Sequence, residues 1–530
     1  MCRKTTEERD KARLKVLQDP KEENKRELAM KQREVKKTIR MNKRAWEKER
    51  VQLIESSRKN NARVFFGKAN EVKHGFKRKT SMVRGENGTL LTDNGKIADE
   101  FKKMFNTLLN HPSERTIIEE RATVEQNIEP PSRAEVEAGI EMLKSGKAAG
   151  EDEIISECLK KGGQLLINQL HNLITKVWEH EEIPRPWRTS VLCPILKKGD
   201  PMNCKIYRGI SLLNTSYKIL SNILLTRIKP YLREIIGDYQ GGFMIGKSTQ
   251  DQIHVIKQMI EKSHEFDKDI HLLFIDFKAA YDMVNREKLW SAMYQLGIPE
   301  KFVRLVRACV QGSKCKVKFG DAVSEDFEVV TGLRQGDALS PALFNLALES
   351  VVRDILVTAS GIKIGIDKQL ILVAYADDLV IMAENEENLK ETTRNLLENG
   401  KKIGLIINED KTKYMVVTRN NHRGGHLDIG EYKFEKVDDF KYLGVDINKD
   451  ANSHEEIKIR LAAANRCYFG LVPLFKSKIL SWKTKITLYK VLVRPIALYA
   501  CGTWATTKSD ELKLATFERK ILRRIYGPKK

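Results

Sequence analysis

The sequence predicts an α+β fold, and two observations carry that prediction. The first is a pair of short apolar runs, residues 370–376 and 379–383, separated by one acidic step at Asp377 and Asp378. Runs of this length and composition read as paired buried strands with a tight turn between them. The second is a set of long amphipathic helices. Residues 165–178 carry Leu166, Leu170, Leu173, Ile174 and Val177 at helical spacing, and residues 216–236 carry Ile219, Leu220, Ile223, Leu224 and Ile228. An antiparallel sheet backed by such helices is the architecture expected.

The acidic step is the chemically loaded part of this pattern. Adjacent carboxylates between apolar strands are costly unless a cation neutralises them. Mg²⁺ is the natural partner, being small, hard and selective for carboxylate oxygen. Asp is common in turns, so this pair alone reads as a solvated turn. A third acid changes the weighting. Residues 271–275 form another apolar strand, ending at Asp276, and a helix-like run begins at Arg286. Two metals about 3.5–4 Å apart clamp the attacking and leaving oxygens in phosphoryl transfer, which requires acids from separate strands at one sheet edge. Asp276, Asp377 and Asp378 supply that set.

Three ordered blocks carry a resemblance. Phe274-Ile275-Asp276 through Asp282, Gly332-Leu333-Arg334-Gln335-Gly336-Asp337-Ala338-Leu339-Ser340-Pro341 and Tyr375-Ala376-Asp377-Asp378 occur in the order found in reverse transcriptases. The accompanying segments, over roughly residues 130–530, resemble non-LTR (LINE-type) retrotransposons, especially insect-type elements. The resemblance implies a right-hand polymerase with fingers, antiparallel palm sheet and helical thumb. It implies an RNA-directed DNA polymerase extending a DNA primer on an RNA template with dNTPs. Asp276, Asp377 and Asp378 would hold two Mg²⁺ ions, with Mn²⁺ as a substitute, and the Phe277 backbone carbonyl would add a ligand. Lys411 would protonate the departing pyrophosphate. Lys198 and Arg208 would face the triphosphate, with Lys197 beside them and at least one of the two lysines a solvated turn residue. Tyr281 would be the sugar gate, its ring excluding a ribose 2′-OH. Gln335 and Gly336 would touch the nucleotide and the templating pair. Tyr442, Leu443 and Gly444 would form the primer grip. Asp282 is either a further acid or an anchor for the loop after Tyr281.

Composition narrows the partners. The 530 residues suggest several subdomains. Lys and Arg number 94 against 72 Asp and Glu, and this excess of 22 favours a nucleic acid or an anionic membrane surface. No apolar segment approaches the roughly 18 residues of a spanning helix. The N-terminus is charged from Arg3 and has no apolar signal core. The 8 cysteines are scattered without a Cys-x-x-Cys pair, and Cys309 and Cys315 have no nearby His. Free thiols in a reducing intracellular setting, nucleus and cytoplasm, fit best. The zinc knuckle that follows the polymerase in many LINE proteins is not visible.

Four segments are expected. Residues 1–80 read as a basic, helical or partly disordered linker, with 18 Lys/Arg and 10 Asp/Glu in the first 50 and a continuing basic run that includes Lys77, Arg78 and Lys79. It is either a solvated linker or a basic arm on RNA or DNA. In LINE proteins such a segment follows an endonuclease, so that activity would come from a missing upstream domain or in trans. Residues 81–163 lead to the fingers: a turn at 85–88, helices near 98–109 and 134–143, and a loop at 144–153. The resembling loop has Pro where Ala149 stands and Gly where Glu153 stands. Residues 164–447 hold fingers and palm, with strands at 190–196 and 207–213, helices at 252–262 and 386–397, and Met244 where the family carries a basic residue. Pro184 and Pro186 stop the 165–178 helix. Ser248 or Thr249 caps the 252–262 helix, and Ser340 is the expected N-cap of the next, with Pro341 at its first position. Residues 448–530 are a helical, basic thumb, truncated at Gly527-Pro528-Lys529-Lys530. A maturase or RNA-dependent RNA polymerase fits less well, given Tyr281 and no maturase extension. A decayed transposon remnant that only binds nucleic acid is the alternative.

Overall fold

The computed structural model describes residues 2–75, 82–111, 128–366, 368–419 and 425–527. Lys77, Arg78 and Lys79, and Pro528 to Lys530, lie outside them. The chain divides into two compact units, residues 79–451 and residues 1–78 together with 452–530.

A six-stranded sheet organises the larger unit, in the order Leu372–Tyr375, Asp378–Ala383, Ile270–Ile275, Lys413–Val417, Tyr432–Lys436, His426–Ile429. Its neighbours run antiparallel except for Lys413–Val417 and Tyr432–Lys436, which are parallel. The last two strands form a hairpin, and its second strand is the one that docks, which sets the parallel contact. Ile270–Ile275 is buried at every position. That explains its continuous apolar run: a strand covered on both faces has no polar alternation. Helices Thr249–Phe266 and Glu386–Ile403 pack on this sheet.

Helix Ser340–Leu356 is buried on nearly all sides. Its N-cap is Leu339, not Ser340 as expected. Ser340 Oγ instead donates to the Arg334 carbonyl at 2.7 Å, and Asp337 Oδ1 accepts from the Leu339 N–H at 3.2 Å. The loop before the helix thus takes the serine that a cap would have used. For helix Thr249–Phe266 the cap is Ser248, in a reciprocal pairing with Asp251. Helix Gly163–His180 buries Leu170, Ile174 and Val177 but leaves Leu173 exposed, and it ends on Glu181 in the left-handed conformation (φ 57°), ahead of the prolines. Glu153 also has a positive φ, 56°, a conformation that glycine adopts without strain.

A second sheet joins Tyr207–Leu212, Thr189–Leu196, Ser313–Phe319 and Ala322–Val323, with Phe327–Val329 also on Ser313–Phe319. Helix Asn94–Leu109 covers it through Phe101 and Phe105.

The smaller unit is helical. Cys2–Gln18 and Glu22–Ser57 form a hairpin, followed by Ala62–His74, and the C-terminal part contributes Ser453–Lys476 and Lys508–Tyr526. Ile54, Phe65 and Ala69 share one apolar core with Tyr468, Leu471, Phe475 and Ile521. The N-terminal stretch is therefore packed with the C-terminal helices. This unit holds 42 Lys/Arg against 17 Asp/Glu, net +25, whereas residues 79–451 hold 52 against 55, net −3. The whole basic excess lies in the smaller unit. Among the described residues no helix is long and apolar enough to cross a membrane.

Candidate active site

Strand register sets the three acids at one sheet edge. Leu379 pairs with Ile275 in antiparallel register, so one step further along the ladder sets Asp378 across from Asp276. Tyr375 pairs with Asp378, closing a two-residue turn, Ala376-Asp377. On the other side Lys413 pairs with Phe274, which carries the chain back to Lys411 beside Asp276. Lys411 Nζ lies 3.2 Å from Asp276 Oδ2. The acids feel one another. Partial burial and the neighbouring Asp377 and Asp276 push Asp378 up to about 6. Burial chiefly, with Asp276 adding to it, raises Asp377. Like charges opposite one another on a sheet are destabilising, so this edge is arranged for a cation.

A cleft of about 370 Å³ opens there, lined by Lys197, Arg208, Asp276, Phe277, Tyr281, Asp282, Gln335, Gly336, Asp377 and Lys411, among others. Asp378, at the start of its strand, is exposed beside it. Burial, then the Arg208 and Lys411 cations, lower the Lys197 ammonium. Tyr281 stacks on Phe344 with ring centroids 4.5 Å apart and planes 18° apart, and its buried hydroxyl has no hydrogen-bond partner. Burial, then Asp377, raise its phenol well above the ordinary value. Gln335 donates to both oxygens of Asp282, and burial pushes that carboxyl up to about 6. Asp282 therefore anchors the loop of Gln335 across from Tyr281.

Lys198 does not line the cleft; Lys197 does. Side chains alternate along a strand. Ile195 faces Arg208 in the ladder and the Lys197 N–H continues it to the Ile206 carbonyl, so Lys197 shares the Arg208 face. Tyr442, Leu443 and Gly444 are also absent from the cleft lining. They sit at the turn of the hairpin Asp439–Tyr442 and Val445–Asn448, with φ 45° at Leu443 and 83° at Gly444. That hairpin leans on strand Ile270–Ile275, Phe440 stacking on Phe274 with ring centroids 4.6 Å apart. Burial, then Asp378, raise the Tyr442 phenol.

Sequence reading passed over three residues here. Asn408 Nδ2 donates to Asp276 Oδ2 at 3.2 Å, and its N–H donates to the Asp276 carbonyl at 2.7 Å. Thr412 Oγ1 accepts from the Asp276 N–H at 3.2 Å. Gln240 holds the Ala376 backbone. Their place near Lys411 hinted at Asn408 and Thr412, but nothing local marks Gln240.

The donor chemistry fits a hard divalent cation: carboxylates on neighbouring strands, with Lys197, Arg208 and Lys411 as the cations beside them. Among the described residues no three Asp, Glu, His or Cys side chains close around one point. Mg²⁺ commonly takes one or two carboxylates plus substrate phosphates and water instead of a protein cage.

Residues 195–447 match the family described as reverse transcriptase (RNA-dependent DNA polymerase). The probable RNA-directed DNA polymerase from transposon X-element of Drosophila melanogaster is 24% identical over 420 residues, covering 76% of this chain and 44% of that protein. The RNA-directed DNA polymerase from mobile element jockey of Drosophila funebris is 24% identical over 410 residues, 75% of this chain and 44% of that protein. The chain thus spans less than half the length of these two relatives. A telomerase from Candida tropicalis, solved with a fragment of telomeric RNA, is similar at a TM-score of 0.39 and 13% identity, covering 66% of this chain and 58% of that one. The fold is α+β. The six-stranded sheet, the cleft and the matched segment coincide in residues 195–447, and there the chain is similar to the reverse transcriptases of non-LTR retrotransposons.

Proposed function

We propose that this chain is an RNA-directed DNA polymerase that extends a DNA primer on an RNA template, taking dNTPs as substrates. The observation that carries this reading is the convergence of Asp276 and Asp377 with Lys197, Arg208 and Lys411 on one cleft. Two Mg²⁺ ions, or Mn²⁺ in their place, would supply the charge that activates the primer 3′-hydroxyl and neutralises the triphosphate. Asp276, Asp377, Asp378 and the Phe277 carbonyl are the groups to hold them.

Lys197 and Arg208 attract the triphosphate oxygens. Tyr281, braced by Phe344, lies against the sugar and leaves no space for a 2′-OH. Gln335, held by Asp282, and Gly336 face the base pair. Asp276 orients the Lys411 ammonium, which is placed to give its proton to the leaving pyrophosphate. The hairpin turn at Tyr442, Leu443 and Gly444 steadies the primer end, and the basic smaller unit follows the nucleic-acid backbone through phosphate contacts. An endonuclease step, where required, would come from another part of a longer protein or in trans.

The test offers the purified chain an RNA template, a DNA primer, dNTPs and Mg²⁺. Templated extension that disappears in Asp377→Asn is the expected result. Tight primer–template binding with no extension by the unaltered chain would replace this reading with a nucleic-acid-binding remnant.

A further inference from the structure

Ala376 precedes Asp377 in the acidic turn and has φ 57°, in the left-handed region. A side chain with a Cβ is strained there. Two-residue hairpin turns with positive φ at the first central position ordinarily carry glycine. Strain of this kind persists only where the surroundings hold it.

Gln240 is what holds it. The residue is fully buried. Its Oε1 accepts from the Ala376 N–H at 2.8 Å and from the Gly242 N–H at 2.7 Å, and its Nε2 donates to the Ala376 carbonyl at 3.3 Å. One amide therefore grips both backbone polar groups of the strained residue. The surrounding backbone reinforces the grip: the Gly241 N–H donates to the Ala374 carbonyl at 2.8 Å, and the Ala374 N–H to the Tyr239 carbonyl at 2.9 Å. Gly242 is pressed so close that a Cβ on it would stand 2.2 Å from the Ala376 nitrogen. Buried Asn345 fixes Gly242 in turn, donating to its carbonyl at 2.9 Å. The clamp thus runs from helix Ser340–Leu356 through Gly242 and Gln240 to the residue beside Asp377.

We propose that Gln240 is a positioning residue for the Asp377 carboxylate, holding the acidic turn in the strained form that points Asp377 into the cleft. The proposal rests on the polymerase reading above. Misplacing a reacting group by about 1 Å costs on the order of a hundredfold in rate.

Gln240→Met keeps the volume and removes all three hydrogen bonds. In the full chain it is expected to lower kcat for single-nucleotide insertion roughly ten- to a hundredfold. The dNTP KM and primer–template Kd are expected to stay within about threefold, since a kcat effect with unchanged KM marks an interaction made at the reacting centre. The Mg²⁺ concentration needed for half-maximal rate, and for half of the Mg²⁺-induced rise in Tm without substrate, should both increase. Adding Ala376→Gly to Gln240→Met should restore part of the loss, because glycine accepts the turn without the clamp. Wild-type kcat and Mg²⁺ response in Gln240→Met would overturn the proposal. So would equal losses of kcat, primer–template affinity and thermal stability with no recovery on adding Ala376→Gly, which would make Gln240 an ordinary core residue. An inactive wild-type chain would instead overturn the polymerase reading, and the Mg²⁺-induced Tm shift would still judge the clamp.

Discussion

The Gln335 side-chain amide donates to both carboxylate oxygens of Asp282, at 2.8 and 2.9 Å. A neutral residue lining the cleft is thereby aimed by a half-buried acid 53 residues away in sequence. Asp282→Asn should release it. Hydrogen bonds to charged groups are worth about 1.5–3 kcal/mol, so kcat/KM for a matched dNTP should fall roughly ten- to a hundredfold. Single-nucleotide insertion with a circular dichroism check of fold measures this. An unchanged kcat/KM would mean that Gln335 does not need the anchor.

Stability should depend on pH in an unusual direction. Asp282 and Asp378 are held at about 6, above the ordinary 3.8. Between those values the folded chain binds more protons than the unfolded one, so these two groups contribute less stability as pH rises through the window. Glu135 is held near 2, chiefly by its hydrogen bond to Arg227, and works the opposite way, but only as pH falls below its ordinary 4.5. Without divalent cations the Tm should therefore rise as pH is lowered from about 7.5 to 5. Mg²⁺ at the higher pH should recover the difference, because a cation favours the ionised acids. Asp377→Asn should raise the metal-free Tm by relieving burial and repulsion of a charge, while abolishing extension. Scanning calorimetry across pH with and without Mg²⁺ reads all three, and a Tm that instead rises with pH would contradict the acid cluster.

Tyr281 separates bulk from polarity. Its hydroxyl is buried without a partner, and an unsatisfied buried group costs about 1–3 kcal/mol. Tyr281→Phe should keep dNTP use and leave the protein equally or more stable. Tyr281→Val removes the ring proposed to exclude a 2′-OH. Overlap in a close-packed site costs about 1–3 kcal/mol, so ribonucleotide kcat/KM should rise roughly five- to 150-fold relative to dNTP. Insertion of matched dNTP and NTP by the three proteins decides the matter. If the Val variant still rejects ribonucleotides, Tyr281 only packs against Phe344.

Helix Glu22–Ser57 carries Arg26, Arg33, Lys37, Arg40 and Arg44 on its exposed side. Steps of seven, four, three and four residues keep these cations on one face, over about 27 Å at 1.5 Å per residue. Each phosphate contact contributes about 0.7–0.9 to the slope of log K against log salt. Replacing all five by Gln should lower the primer–template salt slope by up to about 4 and leave single-nucleotide insertion at saturating primer–template measurable. An unaltered slope would assign the nucleic-acid contacts to other parts of the +25 unit.

Local chemistry made part of this protein legible from sequence. Apolar runs broken by Asp276 and by Asp377-Asp378 read as strands ending in acids, because periodicity and turn chemistry act over a few residues. The offset of Tyr281 from Asp276, the helix over 215–235 and the cap at Ser248 followed from the same short-range rules. The sequence left Lys197 and Lys198 open, and the register with Arg208 sets Lys197 in the cleft lining. Only tertiary structure joined residues far apart. Gln240 is a neutral amide in a glycine-rich stretch, and its meaning arises from a backbone 136 residues later that bends the wrong way for alanine. Ser340 had the chemistry of a helix cap, yet Arg334 offered its hydroxyl a better acceptor. Residues 1–80 read as a basic linker, yet Ile54 and Phe65 share a core with Tyr468 and Phe475. Such pairings are fixed by which surfaces bury one another, and no pattern along a single segment records its partner.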